Sequence, residues 1–64
     1  MKRRALLSHL QEQGCIPVRE GASHSIWSNP KTGRKETIPR HNDIKKQLAH
    51  SICRHLSVTV PLGD

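Results

Sequence analysis

The 64-residue sequence predicts an α+β domain with the element order α-β-β-β-α. Apolar residues recur at helical spacing near both ends of the chain. Short β-prone segments lie between them, and a turn containing proline and glycine joins two of these segments. A three-stranded antiparallel meander with both helices on one face satisfies this order and leaves the other sheet face open.

The first helix is predicted over residues 2–13, where Leu6, Leu7 and Leu10 recur at helical spacing. Gly14 follows at the position of a left-handed C-cap. Residues 15–19 predict the first strand. Because the proline in it cannot donate a ladder hydrogen bond, we expect this strand at a sheet edge.

Strands two and three are predicted at residues 25–28 and 35–38, joined by a turn over residues 29–33. Pro30 suits the second position of a type I turn, and Gly33 suits the left-handed position that closes the loop. This hairpin is the clearest local structural signal in the sequence.

The second helix is predicted from the four-residue recurrence of Ile44, Leu48, Ile52 and Leu56, with Asn42 as its cap. We expect a single domain over residues 1–64, with a flexible tail at residues 57–64. So short a chain is close to the lower limit for a self-sufficient core, so we expect either oligomerisation or a protein partner.

The chain is strongly basic, with 11 Lys and Arg against 5 Asp and Glu and a formal charge of +6. This balance favours nucleic acid as a partner. A membrane surface is disfavoured because no basic segment has a broad apolar face with aromatic residues. The apolar run after the basic start is too short for a secretory signal or a membrane span, so we expect a cytoplasmic protein.

The two cysteines, Cys15 and Cys53, stand far apart without a C-x-x-C pattern. We interpret them as free, half-buried thiols. No His or Cys pair has the spacing of a zinc finger or ribbon, so the sequence predicts no metal site.

His24 is the candidate catalytic residue, because it follows three small residues at the mouth of a predicted strand. Histidine both accepts and donates protons near neutral pH, and cationic neighbours stabilise charge on a polyanion. RNA cleavage fits that chemistry. Two alternatives stay open: a noncatalytic RNA-binding module, and an interaction protein whose charge serves an acidic partner.

Four features occur together in the sequence: a basic first helix ending in glycine, Gly-Ala-Ser-His at residues 21–24, Ile-Pro-Arg-His at residues 38–41, and the apolar spacing of the last helix. Over nearly the whole chain, this combination resembles the HicA toxins of bacterial toxin-antitoxin systems. The resemblance implies a double-stranded-RNA-binding-domain-like fold and cleavage of single-stranded mRNA without metal or cofactor. It also implies neutralisation by a HicB-type antitoxin protein that covers the His24 site.

Under the interpretation as a HicA-like ribonuclease, His24 acts as general base, or as acid if a second group takes the proton. Ser23, Arg40 and His41 are candidates for support, because the start of strand two lies beside the end of an antiparallel strand three. Many relatives carry Gly-Thr-Leu-Arg where this chain has residues 46–49, so the arginine of that motif is absent here. We expect Lys45, Lys46 or Arg54 to take over its cationic role. The predicted RNA-binding cations are Arg3, Arg4, Lys35, Lys45, Lys46 and Arg54.

Trp27 provides the large aromatic ring of the chain, and its environment depends on which face of strand two is buried. His24 and Ile26 alternate with Ser25 and Trp27, so the two pairs lie on opposite faces. We expect Ile26 in the core and Trp27 exposed, where it would stack on a base. The opposite assignment stays open.

Overall fold

The computed structural model describes residues 1–61. Its elements are α1 (Arg3–Glu12), β1 (Ile16–Glu20), β2 (His24–Asn29), β3 (Arg34–Pro39) and α2 (Lys46–His55). The strands form an antiparallel sheet in the order β1-β2-β3, so β1 is an edge strand. This confirms the predicted α-β-β-β-α order and the double-stranded-RNA-binding-domain-like class. The last residues of the predicted tail, 62–64, lie outside the described part.

The apolar core of residues 1–61 lies between the two helices and one face of the sheet. Its members are Leu6, Leu10, Cys15, Trp27, Ile38, Ile44, Ala49, Ile52, Cys53 and Leu56. Every element except β1 contributes to it, and the exposed His24 of β2 lies on the opposite face of the sheet. None of the helices in this part of the chain has the length and apolar character needed to cross a membrane.

The end of α1 has the left-handed cap that Gly14 predicted. Gly14 has a φ of 92°, and its N–H donates to the Gln11 carbonyl at 3.0 Å. The Cys15 N–H donates to the Leu10 carbonyl at 2.9 Å. This pair of bonds is a Schellman motif, and the two buried side chains of Leu10 and Cys15 supply its usual apolar contact.

The hairpin turn is also confirmed. The Asn29 carbonyl accepts hydrogen bonds from the N–H groups of Thr32 and Gly33, at 3.2 and 2.8 Å. Gly33 has a φ of 76°, as its predicted position requires. The buried Asn29 side chain donates to the Leu56 carbonyl at 2.7 Å, which ties the hairpin to the end of α2.

Two predictions about α2 were wrong. The helix begins at Lys46, and Asn42 does not cap it. The Asn42 carbonyl instead accepts the Arg3 N–H, and the Ile44 N–H donates to Met1, so this segment runs along the N-terminus.

The apolar stripe of α2 was also misplaced, because Leu48 is 42% exposed. The buried side chains of the helix are Ala49, Ile52 and Cys53. A helix has 3.6 residues per turn, so a stripe alternates steps of three and four, whereas a strict step of four drifts around the axis. Ile44 is buried but precedes the helix, so it does not mark this stripe.

Ser57 ends α2 in a conformation that favours glycine. Its φ is 58°, and the Ser57 and Val58 N–H groups donate to the carbonyls of Arg54 and Cys53, both at 3.0 Å. Val58 and Val60 then pack against the core. The chain through residue 61 thus follows the helix end, and flexibility of the tail stays a prediction.

Replacing Ser57 by glycine is expected to raise the free energy of unfolding by about 0.5–1 kcal/mol, because a left-handed φ is costly for residues with a Cβ. The exposed Ser8, inside α1, is the matched control. Ser8→Gly is expected to lower that free energy by about 0.5 kcal/mol, since glycine is a poor helix former. Urea unfolding measures both. A change of this free energy in the same direction for both variants would contradict the left-handed conformation of Ser57.

Trp27 is buried, with 6% of its surface exposed, so the predicted exposure was wrong. Ser25, Trp27 and Asn29 lie on the helix-covered face of β2, while His24 is exposed and Ile26 is half-buried. The chain has no Phe or Tyr, so the indole ring supplies core volume that no other aromatic provides. Among residues 1–61, its Nε1 is a buried polar atom without a hydrogen-bond partner.

Cys15 and Cys53 are free, as predicted, but they are fully buried in the core and not half-buried. Burial raises the pKa of the Cys15 thiol. Burial, and next the charge of Cys15, raise the pKa of Cys53, so the two thiols lie near each other in the core. Both stay neutral at physiological pH and are poor nucleophiles.

The raised thiol pKa values predict that stability falls at alkaline pH. Above the ordinary thiol value of 9.0 the unfolded chain releases these protons before the folded chain does. Unfolding then becomes more favourable as pH rises through and beyond this value. Urea unfolding at about pH 8 and about pH 10 should show a smaller fall for a Cys15→Ala, Cys53→Ala double variant. An equal fall of the free energy of unfolding in the wild type and the double variant would contradict this linkage between thiol ionisation and stability.

Candidate active site

His24 is the first residue of β2 and lies exposed on the open face of the sheet. It pairs with Pro39, the last residue of β3, so the predicted approach of these two strand ends is confirmed. A shallow depression surrounds it, lined by Arg19, Gly21, Ala22, Ser23, His24, Ile26 and Thr37. A ligand can therefore reach the imidazole from solvent.

The turn before His24 requires a glycine at one position. The Gly21 N–H donates to the His24 carbonyl at 2.8 Å. A Cβ at Gly21 would lie 2.9 Å from that carbonyl oxygen, closer than side chains tolerate. Ala22 and Ser23 do not have positive φ, so alanine fits the turn without strain.

A polar cluster braces this turn from the helix-covered face of the sheet. Its centre is the Ser25 hydroxyl, whose residue is fully buried. The hydroxyl accepts a hydrogen bond from Arg3 Nη2 at 2.7 Å and donates to Glu20 Oε2 at 2.7 Å. Arg3 Nε also donates to the Pro39 carbonyl at 3.0 Å. These charge-assisted bonds join α1 to the ends of all three strands.

Arg40 completes the cluster from the end of β3. Its Nη2 donates to Glu20 Oε2 at 3.1 Å and its Nε donates to the Gly21 carbonyl at 2.8 Å. The Arg40 N–H donates to the Ser23 carbonyl at 3.3 Å. Two of the three supporting residues proposed from sequence, Ser23 and Arg40, thus lie at the His24 turn, and Arg40 holds the backbone of that turn.

His41 lies exposed two residues beyond Pro39, at the strand end nearest His24. His55 contacts the Glu36 carboxylate, and His9 Nε2 lies 2.6 Å from the Thr59 carbonyl oxygen. Within residues 1–61, no three His, Cys, Asp or Glu side chains are grouped so that they could hold a metal ion.

The predicted RNA-binding cations fall on different surfaces. Lys35 pairs with Ser28 and so shares the open face with His24. The exposed side chains of Arg4, Lys46 and Arg54 belong to the helices that cover the other face. Lys45 is exposed just before α2.

A second depression, at the start of α1, is lined by Lys2, Arg3, Arg4, Leu7 and Asn42. Part of the Arg3 guanidinium is already used in the cluster around Ser25. The structure therefore places five of the six predicted cations in or beside the helices and only Lys35 on the sheet.

Two residues near His24 were missed from sequence. Glu20 accepts the Ser25 hydroxyl and the Arg40 guanidinium, and Arg19 lines the depression around His24. Both placements depend on a β-bulge in β1, where the register shifts between Pro17 and Arg19. Pro17 is the sequence signal for that irregularity, since proline in strands is often found at bulges.

The architecture defines a small basic protein of the double-stranded-RNA-binding-domain-like class, with a histidine exposed on its open sheet face. Residues 3–58 match the family described as HicA toxin of bacterial toxin-antitoxin. The chain belongs to this family and therefore has the role of a toxin whose partner is an antitoxin. Searches of curated proteins and of solved structures found no match.

Proposed function

We propose that this toxin is a metal-independent endoribonuclease that cleaves single-stranded mRNA in the cytoplasm, with His24 as its catalytic residue. The observation that carries the proposal is the exposed imidazole in a depression on the open sheet face of a HicA-family chain. RNA supplies its own nucleophile, the ribose 2′-OH, so one proton acceptor and nearby positive charge are sufficient for a slow reaction.

The proposed reaction is a transesterification at phosphorus. His24 takes the proton of the 2′-OH while the 2′-oxygen forms a bond to phosphorus. The bond from phosphorus to the 5′-oxygen then breaks, and that oxygen receives a proton from an acid. The products are a 2′,3′-cyclic phosphate and a 5′-hydroxyl. The turn at residues 21–24, braced by Arg40 and Glu20, keeps the imidazole in place during these steps.

His41 is our candidate for the acid that protonates the leaving oxygen, because it follows the strand end that pairs with His24. Replacing His41 by alanine is expected to lower the single-turnover rate about tenfold or more. The measurement is cleavage of labelled RNA with enzyme in excess. An unchanged rate for His41→Ala, beside a lost rate for His24→Ala, would assign the acid to water or another group.

Exposed cations are proposed to hold the RNA backbone without reading its sequence. The exposed ones are Arg4, Lys35, Lys45, Lys46 and Arg54, whereas Arg3 is half-buried and contributes only the donors that Pro39 and Ser25 leave free. Each phosphate contact lowers the slope of log affinity against log salt by about 0.7 for a single strand. A HicB-type antitoxin with acidic groups over His24 would neutralise the toxin by covering the same surface.

The test is incubation of the purified chain with end-labelled single-stranded RNA in EDTA. We expect fragments from the wild type and none from His24→Ala. Binding without fragments would favour the second candidate, a noncatalytic RNA-binding module, which the double-stranded-RNA-binding-domain-like fold and the +6 charge support. Cleavage that requires an added metal would contradict the proposed mechanism.

A further inference from the structure

We propose that Arg19 is the phosphate-binding residue of the His24 site, where its guanidinium contacts the scissile phosphate of the RNA. This inference rests on the proposed ribonuclease function. It adds the cation that the reaction needs, because the phosphorane formed during attack carries more negative charge than the starting phosphodiester.

The β-bulge in β1 places Arg19 on the face of His24. Pro17 pairs with Trp27 and Arg19 pairs with Ile26, so Val18 is an extra residue in this strand. Without the bulge, Val18 would lie opposite Ile26. Arg19 would then move onto the face that the helices cover, since a shift of one residue exchanges the faces of a strand. Bulges often redirect a side chain next to an active site.

In this position the Arg19 guanidinium can reach a phosphate that is bound beside His24. Arg19 lies opposite Ile26, and Ile26 is two residues from His24 on the same face of β2. Such diagonal neighbours are about 7–8 Å apart, a distance that a long side chain spans. Arg19 and His24 both line the depression on the open face. A phosphate bound there would lie between them.

The charge of Arg19 is available for a ligand. None of the ion pairs among residues 1–61 involves this residue, and its side chain is exposed. By contrast, Arg3 and Arg40 bind Ser25, Glu20 and backbone carbonyls of the same chain.

Arginine suits the task because its planar fork donates two parallel hydrogen bonds to phosphate oxygens and stays protonated. Arg19 therefore transfers no proton. Thr37 lines the same depression from β3 and pairs with Ile26, so its hydroxyl is a further donor towards the bound phosphate.

The experiment compares Arg19→Gln and Arg19→Lys with Arg34→Gln, which removes an exposed arginine near the hairpin turn at the other end of the sheet. Single-turnover cleavage of labelled RNA in EDTA gives a maximal rate and a half-saturating enzyme concentration. We expect Arg19→Gln to lower the maximal rate about 10²-fold, as loss of a transition-state donor does. Arg19→Lys should recover part of that rate, and Arg34→Gln should change the half-saturating concentration alone.

The outcomes separate the inference from the proposed function. Absence of cleavage by the wild-type chain would contradict the ribonuclease proposal itself, and full activity of His24→Ala would contradict the catalytic role of His24. An inactive His24→Ala beside an Arg19→Gln variant with the wild-type maximal rate would contradict the role of Arg19. An Arg19→Gln effect confined to the half-saturating concentration and equal to that of Arg34→Gln would also contradict it, because general attraction of the RNA explains such a change. Urea unfolding of each variant verifies that the fold is retained.

Discussion

Replacing His24 by alanine is expected to lower the rate of RNA cleavage by a factor of about 10² to 10⁴, the usual contribution of a general acid or base. The side chain is exposed at the start of β2, so its removal should leave the free energy of unfolding nearly unchanged. Single-turnover cleavage and urea unfolding measure the two quantities. A large fall in stability would mean that His24 supports the fold instead.

The matched control for His24 is His50, which α2 carries on the other side of the sheet. His50→Ala removes the same imidazole and should retain the wild-type cleavage rate. Expression in bacteria gives a second measurement, since His24→Ala should no longer arrest growth while His50→Ala should. Growth arrest by both variants would place the catalytic group elsewhere.

Replacing Trp27 by alanine is expected to unfold the chain in the absence of a partner. Loss of a buried tryptophan side chain costs about 3–5 kcal/mol. A core in a chain of this size provides about 3–5 kcal/mol in total. Circular dichroism should therefore show loss of helix at room temperature. A cooperative transition at the wild-type urea midpoint would contradict the buried position of this ring.

Trp27→Phe is the control for that prediction. Phenylalanine retains most of the ring volume and removes the Nε1–H, which has no partner among residues 1–61. Leaving a buried donor unpaired is unfavourable, so its removal offsets part of the lost apolar contact. We expect the phenylalanine variant to fold.

Features that depend on short stretches of sequence were predictable. Gly14 and Gly33 both adopt the left-handed conformations expected of them, because a helix end and a tight hairpin impose these φ values locally. The faces of β2 were not predictable in the same way. Ile26 and Trp27 are both apolar, so alternation alone cannot say which one the helices cover.

The candidate site was likewise predictable only where it depends on a short stretch of sequence. The position of His24 at a strand mouth was predicted, because small residues before a β-prone segment indicate a turn. The positions of Arg19 and Glu20 were not, because they follow from one extra residue in β1 that changes the pairing with β2. The late start of α2 likewise depends on contacts that Ile44 makes with the distant N-terminus.

The chemical ends of the RNA fragments test the central claim most directly. If His24 activates the ribose 2′-OH, the wild-type chain in EDTA will leave a 2′,3′-cyclic phosphate on one fragment and a 5′-hydroxyl on the other. Fragments with a 3′-hydroxyl and a 5′-phosphate would show that water attacked phosphorus instead, and would contradict the account.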